Sequence, residues 1–405
     1  MDPLEKNHRF GRWMPLAFAA CCAPVVFFDG LTVFDDLDER LFHLPTIKRF
    51  AAQLPWPDLM DYPSATTPLY HLLLAPIAVL GGDSLLLLRL CNLAISAGCV
   101  WMAIRVLGTW GRPSTAWPMA LLMAASPYFV GPAVRLSTDN MALLGIIATL
   151  AALHPETNAR PRTAGIWAAV TVLTRQIHAW LLPLFLLRGL WPTRALKPWV
   201  TAALVPLAAL VLFVAAWGSL TPPSFAKGHT AGLNPDVAVF ALSILGIYSV
   251  AFAPWLVQGL RSVRTRQIAL AAALSCAAFL AVHAMPWTDD PNRWGGAIWS
   301  ASAQLPAMRD VPLPFWVGMP LGAVALVSIW HHPRRAHGRF LVIAALLWIC
   351  VNLVSARAYQ KYYDPFCLFT LGAAAQGIAV SRRAWIGPVM LGLGLIAIDV
   401  FRFTN

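Results

Sequence analysis

Long apolar runs separated by short polar segments recur along the whole chain. Many of them approach the roughly 20 residues that a helix needs to cross a bilayer, and 85–106 and 341–354 are continuous examples. Continuous runs indicate spanning helices and not the alternating strands of a membrane barrel. We therefore predict an all-α, polytopic membrane helix bundle. Residues 1–405 are predicted to form a single integral membrane domain with about 13 spanning or half-spanning helices.

One polar interval interrupts this pattern soon after the first apolar run. It covers residues 29–67 and holds seven of the chain's 18 acidic residues. Between Leu41 and Ala51 its apolar residues recur at helical spacing, which predicts an amphipathic helix lying along the membrane surface. This interval is therefore predicted to be an acidic first outer loop with an interfacial helix.

The balance of charge indicates which side of the membrane each loop occupies. Charged residues make up only 12% of the chain, against about 25% in soluble proteins, and Lys and Arg outnumber Asp and Glu by 30 to 18. Most of these bases lie in short loops, so they indicate cytoplasmic loops and not a nucleic-acid partner. Lys6, Arg9 and Arg12 place the N-terminus inside and the acidic loop outside. The predicted location is the bacterial inner membrane with the active site facing the periplasm, or the ER membrane in a eukaryote.

Two basic segments conflict with a simple alternation of crossings. If every apolar run crossed once, segments 105–112 and 160–162 would lie outside, against the preference of Lys and Arg for the cytoplasm. Both return to the cytoplasm if 68–80 only dips into the outer leaflet and 164–187 is two short helices broken near Arg175. The break would place Arg175 deep in the membrane, facing the outer side.

The acidic loop supplies the candidate catalytic groups. Asp38 and Glu39 are the first candidates for a catalytic carboxylate, and Asp35 and Asp36 are supporting acidic candidates. An inverting transfer of a sugar from a lipid phosphate needs one carboxylate to accept the proton of the attacking hydroxyl, and the leaving phosphate needs no general acid. The alternatives are a solvated acidic loop or a helix cap, which Asp35 or Asp36 would supply.

Basic and polar residues predicted on the same side are candidates for binding the substrate. A charged side chain at membrane depth is costly and therefore indicates function, and arginine suits bidentate binding of phosphate. The predicted ligands of the donor phosphate are Arg135, Arg175, His229, Arg357 and Lys361. The other predicted substrate-binding residues are His43, Tyr70, Asp139 and Gln176. Snorkelling to the interface is the alternative for Arg357 and Lys361, and an exposed loop histidine is the alternative for His229.

Cofactor motifs are scarce in this sequence. The seven cysteines lie within or at the ends of apolar runs without metal-ligand spacing, and no Walker-type or dinucleotide-binding glycine motif is present. We predict no metal site from the sequence. A divalent cation bridging a donor phosphate and the acidic cluster is left open.

Several of these segments resemble a known family. Residues 38–45 (Asp-Glu-Arg-Leu-Phe-His-Leu-Pro), then Asp61 and 66–70 (Thr-Thr-Pro-Leu-Tyr), resemble the first loop of the eukaryotic family that adds the terminal α-1,2-glucose to the dolichol-linked oligosaccharide. Further pieces resemble that family in the same order: Leu88–Leu93, Arg175-Gln176 and Gly228-His229. The match covers residues 30–260 and is weak beyond them.

The resemblance implies a GT-C fold and a glycosyltransferase that uses a polyprenyl- or dolichyl-phosphate sugar as donor. On that pattern the acidic pair falls on Asp38 and Glu39. This chain has one extra residue between the pair and Phe42-His43, so either acid is a candidate for the base.

We therefore expect an inverting glycosyltransferase that moves a hexose, with glucose as the first expectation, to a glycan or lipid-linked acceptor on the outer face of the membrane. The compact loops and the Ala/Pro/Arg-rich composition indicate a bacterial protein acting on the cell envelope. The expected partners are the polyprenyl-phosphate-linked donor, the acceptor and membrane lipid, with no nucleic acid. The alternative function is a flippase or transporter for a lipid-linked or anionic substrate, which would not need the acidic loop.

Overall fold

The computed structural model of the chain describes residues 3–28, 37–191, 194–226, 233–283, 294–308, 311–355 and 357–404. Most of them are helical, which confirms the all-α prediction. The contacts of the chain separate into two compact units. The first contains residues 1–106, 129–230 and 399–405, and the second contains residues 107–128 and 231–398.

Most consecutive helices are joined by short connections, and a longer one, residues 53–68, lies between α2 and α3. In chain order they are α1 (Pro3–Phe27), α2 (Leu44–Ala52), α3 (Leu69–Leu80), α4 (Leu85–Trp110), α5 (Pro113–Ala124), α6 (Pro127–Val134), α7 (Asp139–Leu153), α8 (Pro161–Thr174), α9 (Leu182–Leu190), α10 (Leu196–Trp217), α11 (Pro223–Ala226), α12 (Asp236–Ser249), α13 (Ala253–Leu260), α14 (Thr265–His283), α15 (Ala297–Ser302), α16 (Leu313–Trp330), α17 (Arg335–Asn352), α18 (Asp364–Ala374) and α19 (Ile386–Thr404).

The remaining regular structure is short. A π turn covers Glu39–His43, and 3₁₀ turns cover Gln176–Leu181, Val250–Phe252, Gln360–Tyr362 and Arg382–Trp385. Within the described residues, four two-residue strands form two ladders. β1 (Trp294–Gly295) pairs in parallel with β4 (Ala358–Tyr359), and β2 (Ala307–Met308) pairs antiparallel with β3 (Val311–Pro312).

Six helical segments in the described part of the chain are long and apolar enough to cross a membrane, so the chain is an integral membrane protein. They are Leu85–Trp110, Leu196–Trp217, Asp236–Leu260, Leu313–Trp330, Arg335–Asn352 and Arg382–Phe403. The bent pair α5 and α6 adds a seventh if it is one span, and Gly11–Phe27, Leu69–Leu80 and Asp139–Leu153 are shorter apolar helices. The predicted number of about 13 helices, which included half-spans, is not confirmed.

The sequence predicted a half-span at residues 68–80 and a helix break near Arg175. The 12-residue α3 is about 18 Å long, well short of the roughly 30 Å hydrocarbon core, as a half-span requires. The predicted break near Arg175 is present: α8 ends at Thr174, Arg175 is extended with φ −150° and ψ 112°, and a 3₁₀ turn follows.

Small residues allow the helices of each unit to pack closely. In the first unit, Gly145 of α7 lies directly against Thr171 of α8 and leaves no room for a Cβ. In the second unit, Gly318 and Gly322 of α16 meet α12 at Gly246 and Leu242. Close approach through small residues is how membrane helices gain packing contacts without a hydrophobic driving force between them.

The predicted topology can be tested at residues that the structure leaves accessible. Arg112 and Asn158 are exposed, whereas Trp110 beside the first of them is buried. We expect the Arg112→Cys and Asn158→Cys variants, made without the exposed Cys21 and Cys350, to react with a membrane-impermeant maleimide only after the cells are permeabilised. Reaction of both sites in intact cells would overturn the arrangement with two half-spans.

Candidate functional site

The acidic motif lies at the start of a helix. In the described part of the acidic loop, residues 37–52 wind into one continuous helix, in which the π turn Glu39–His43 lies between residues 37–38 and α2. Its buried face carries Glu39, His43, Thr46, Ile47 and Phe50. Asp38 comes directly before the π turn and is half-buried. Asp35 and Asp36 lie outside the described residues, and so does His229. The placement of this helix in the membrane interface stays a prediction.

Glu39 is buried, and three N–H donors hold its carboxylate. Arg89 in the first turns of α4 donates from Nε to Oε2 at 3.0 Å and contacts Oε1 through Nη2. The backbone N–H of Leu136 donates to Oε2 at 2.6 Å. Only 5% of the Arg89 side chain and 7% of the Glu39 side chain are exposed. A bidentate pair of this kind is strong and geometrically specific, so Glu39 fastens the acidic motif to α4 and to residues 135–138.

Tyr70 joins the same region from α3, and Asn92 joins it from α4, the helix that carries Arg89. The Tyr70 hydroxyl donates to Oδ1 of Asn92 at 2.9 Å and accepts from the backbone N–H of Ser137 at 3.1 Å. The amide of Asn92 donates to the carbonyl of Arg135 at 2.7 Å, and to two carbonyls at the end of α6. Arg135 itself is buried. These bonds satisfy backbone groups between α6 and α7 that water cannot reach.

The break at Arg175 brings two predicted residues to this region. The Arg175 guanidinium pairs with Asp139 in the first turn of α7, and Asp139 also accepts from the Ser137 hydroxyl at 2.6 Å. The side-chain amide of Gln176 donates to the carbonyl of Ala65 at 2.6 Å and accepts from the N–H of Thr67 at 3.2 Å. The broken helix is therefore tied both to residues 135–140 and to the end of the acidic loop.

A pair of histidines lies beside this network. Nδ1 of His43 and Nε2 of His71 are 3.0 Å apart, the rings are stacked, and His71 is completely buried. One of the two nitrogens must carry the proton and the other must accept it, because N–H groups on both would face each other without an acceptor. His71 packs against Phe50, Tyr62 and Tyr70, so the pair anchors α2 to α3.

Most of the predicted site residues that are described belong to this one cluster in the first unit. The cluster, which we call the acidic-loop network, contains Glu39, His43, Tyr70, Arg135, Asp139, Arg175 and Gln176, with Asp38 at its edge. Arg89, Asn92 and His71 were not predicted as site residues. The segment 88–93 that carries part of the resemblance contains Arg89 and Asn92, so that segment was the signal for them.

Arg357 and Lys361 lie elsewhere, in the second unit. The Arg357 guanidinium is 5.9 Å from the ring of Tyr359, the Lys361 ammonium is 5.4 Å from the ring of Tyr362, and the two tyrosines stack on each other. Cation–π contacts of this kind fix the two bases against aromatic faces. Their predicted role as ligands of the donor phosphate stays a prediction.

The same unit contains a buried carboxylate that the sequence reasoning missed. Asp364, at the start of α18, is completely buried and accepts from the hydroxyls of Ser126 and Tyr248 and from the amide of Gln360 at 2.7 Å. The oxygen of the Gln360 side chain accepts from the N–H of Ile298 at 2.9 Å. An ionisable residue at the edge of an apolar run was the available signal. Gln360 therefore joins Asp364, and the turn that carries Lys361, to the start of α15.

The residues described by the structure include no group of three or more histidines, cysteines or acids arranged to hold a metal ion. The bridging divalent cation that the sequence left open is not tested by this finding.

The fold and the acidic-loop network define an all-α integral membrane protein in which carboxylates, arginines and a tyrosine from five segments meet in one unit. No family model matches the chain, and no curated protein matches it. Among solved structures, it is similar to the crystal structure of ArnT from Cupriavidus metallidurans bound to undecaprenyl phosphate, with a TM-score of 0.45 and 15% identity over 96% of this chain and 89% of that chain. For ArnT from the same organism in the apo state, the TM-score is 0.43 and the identity 16%, over 89% and 77%. Likeness at this level assigns neither a family nor an activity.

Removing the charge of Glu39 is expected to destabilise the first unit strongly. The Glu39→Gln variant leaves Arg89 buried without its counter-charge, which costs about 3–5 kcal/mol for a buried pair. The free energy of unfolding, measured by denaturant titration in detergent micelles, tests this. The control is Asp58→Asn, which breaks the exposed pair of Asp58 with Arg49 and should cost less than about 1 kcal/mol. Equal effects of the two substitutions would contradict the structural role of Glu39.

Two buried tyrosines of the second unit offer a matched comparison. The Tyr248 hydroxyl donates to Asp364, whereas the equally buried Tyr363 hydroxyl has no hydrogen-bond partner among the described residues. We expect Tyr248→Phe to lower the free energy of unfolding by about 1–3 kcal/mol, because Asp364 loses a donor. Tyr363→Phe should be neutral or slightly stabilising in the same denaturant titration. The reverse order would show that Asp364 does not depend on Tyr248.

Proposed function

We propose that this protein is an inverting glycosyltransferase whose donor is a sugar linked to a polyprenyl or dolichyl phosphate. The observation that supports this proposal is the convergence of the segments that carry the resemblance. Glu39 of the acidic pair, residues 66–70, residues 88–93 and Arg175-Gln176 all bond into the acidic-loop network. Motif segments that are far apart in sequence and meet in one place are the pattern of a shared functional site.

The groups of this network suit the two halves of the reaction. Asp38 or Glu39 accepts the proton of the acceptor hydroxyl, and the oxygen of that hydroxyl bonds to the anomeric carbon of the donor sugar. The bond from that carbon to the donor phosphate breaks on the opposite face, which inverts the configuration. The lipid phosphate departs as an anion and needs no proton, so one carboxylate is sufficient.

Arginines of the same network are the proposed ligands of the donor phosphate. Arg135 and Arg175 carry planar guanidinium groups that bind phosphate oxygens in pairs. Asp139 orients Arg175 through their ion pair, and Ser137 in turn donates to Asp139. His43, Tyr70 and Gln176 bond to protein groups, and we propose that they hold this arrangement around the substrate. His229, Arg357 and Lys361 stay proposed ligands of the phosphate outside the network.

The proposed identity of the substrates rests on the family resemblance and on the bacterial character of the composition. We propose a hexose, with glucose first, as the transferred sugar. The proposed acceptor is a glycan or lipid of the bacterial cell envelope, reached on the outer, periplasmic face of the inner membrane.

Transfer by the purified protein tests the proposal directly. We expect the protein in detergent or liposomes to form a new glycosidic bond when supplied with polyprenyl-phosphate glucose or mannose and an envelope-lipid extract. At least one of the single variants Asp38→Asn and Glu39→Gln should lower the rate of transfer by more than about a hundredfold, which is the usual contribution of a general base. Asp58→Asn, at a partly exposed acid of the same loop, should leave the rate near that of the wild type.

The outcomes separate the two candidate functions. Unchanged transfer in both the Asp38 and the Glu39 variants would remove the proposed base. Movement of the lipid-linked sugar across liposome membranes without any new glycosidic bond would favour the flippase or transporter.

A further inference from the structure

The π turn is a local departure from the helix that carries the acidic motif. The N–H of Leu44 donates to the carbonyl of Glu39, five residues earlier, and residues on both sides are helical. A π turn of this kind holds one residue more than an α-helical turn and is frequent at functional sites. The sequence carries one extra residue at this place relative to the family that it resembles.

The π turn changes the direction in which Asp38 faces. Asp38 comes five residues before His43, whose side chain is buried against His71. At roughly 4.4 residues per turn, five residues of π helix place Asp38 about 50° around the axis from His43. At 3.6 residues per turn, an α-helix of the same length would place it about 140° away. The π turn therefore turns Asp38 towards the buried side of the helix.

The observed burial agrees with this geometry. Leu37, Arg40 and Leu41 are exposed, Asp38 is half-buried, and Glu39 is buried. The residues that the π turn bulges outward are thus Arg40 and Leu41, on the face opposite to the acidic-loop network.

We propose that the π turn is the positioning element of the acidic motif and divides the roles of its two acids. It takes up the extra residue, so Glu39 reaches Arg89 while Asp38 stays on the same side of the helix at the edge of the network. Because both oxygens of Glu39 accept N–H donors, Glu39 is a positioning residue and Asp38 is the base. The assignment of the base rests on the proposed function, whereas the role of the π turn does not.

Deletion of a single residue tests whether the π turn sets the direction in which Asp38 faces. Without Leu41, Asp38 comes four residues before His43, and in a regular α-helix it lies about 40° from His43, close to its present direction. Deletion of Leu41 should therefore leave the rate of transfer within about threefold of the wild type. Deletion of Lys48, an equally exposed residue inside α2, turns the two halves of the buried face by about 100° and should abolish transfer. Leu41→Ala and Lys48→Ala control for loss of each side chain and should both be active.

A second measurement does not depend on catalysis. Glu39→Gln should shift the thermal midpoint of unfolding downward by the same amount in the wild type and in the Leu41 deletion, because Glu39 still meets Arg89 in both. If the deletion turns Glu39 away, Glu39→Gln will cause no further shift in that background, and the proposal is wrong. A Leu41 deletion that fails to fold, or loses transfer as the Lys48 deletion does, overturns it as well.

Substitutions at Glu39 and Asp38 test whether Asp38 is the base. With Glu39→Asp, which keeps the charge, we expect transfer to recover partly relative to Glu39→Gln, and the pH profile of the rate to stay that of the wild type. Asp38→Asn should abolish transfer and lower the thermal midpoint less than Glu39→Gln does, because Glu39 forms the buried ion pair with Arg89. Full transfer by Asp38→Asn would refute the role of Asp38, and no transfer by the wild-type protein would refute the proposed function while leaving the test of the π turn intact.

Discussion

The ion pair of Glu39 with Arg89 is the interaction on which the acidic-loop network depends. Two charges removed from water lose several kcal/mol of hydration each, and only close, well-directed bonding offsets that loss. Here the carboxylate accepts two bonds from one guanidinium and a third from the N–H of Leu136. Three segments that are distant in sequence thus become mutually dependent, since none can move without exposing a buried charge. The positions of Tyr70, Asn92 and Ser137 follow from the segment that Leu136 fixes.

The second unit buries a carboxylate by a different means. Among the described residues, the hydrogen-bond partners of Asp364 are hydroxyls and an amide, all neutral, and no cation pairs with its carboxyl group. Every one of these donors comes from a separate part of the second unit. Both solutions reflect the same constraint, which is that a polar group enclosed by membrane helices must find its partners within the protein. In each unit the enclosed carboxylate sits where an irregular segment meets a helix.

The sequence was informative about elements whose causes are local. Apolar runs predicted the helices, and the conflict between loop charges predicted the break at Arg175, because both depend on neighbouring residues. The sequence did not predict the partners of the buried acids. Glu39 meets Arg89 across 50 residues and Asp364 meets Ser126 across 238, and no spacing rule connects residues that only the packing of helices brings together. The sequence did not distinguish the roles of the adjacent Asp38 and Glu39, because the two residues differ in the direction that each side chain faces.

That difference follows from the winding of the helix. Consecutive residues of an α-helix point about 100° apart, so two neighbouring acids cannot both enter one narrow buried stripe. Looser winding reduces that angle to roughly 80°, which allows Glu39 to be enclosed while Asp38 lies at the margin of the stripe and not on the far side. A carboxylate that must exchange a proton with a substrate has to be reachable, whereas a carboxylate that fixes an arginine has to be enclosed. The π turn satisfies both conditions with adjacent residues. Its one additional residue is accommodated where Arg40 and Leu41 bulge outward, on the exposed side of the helix and away from the network.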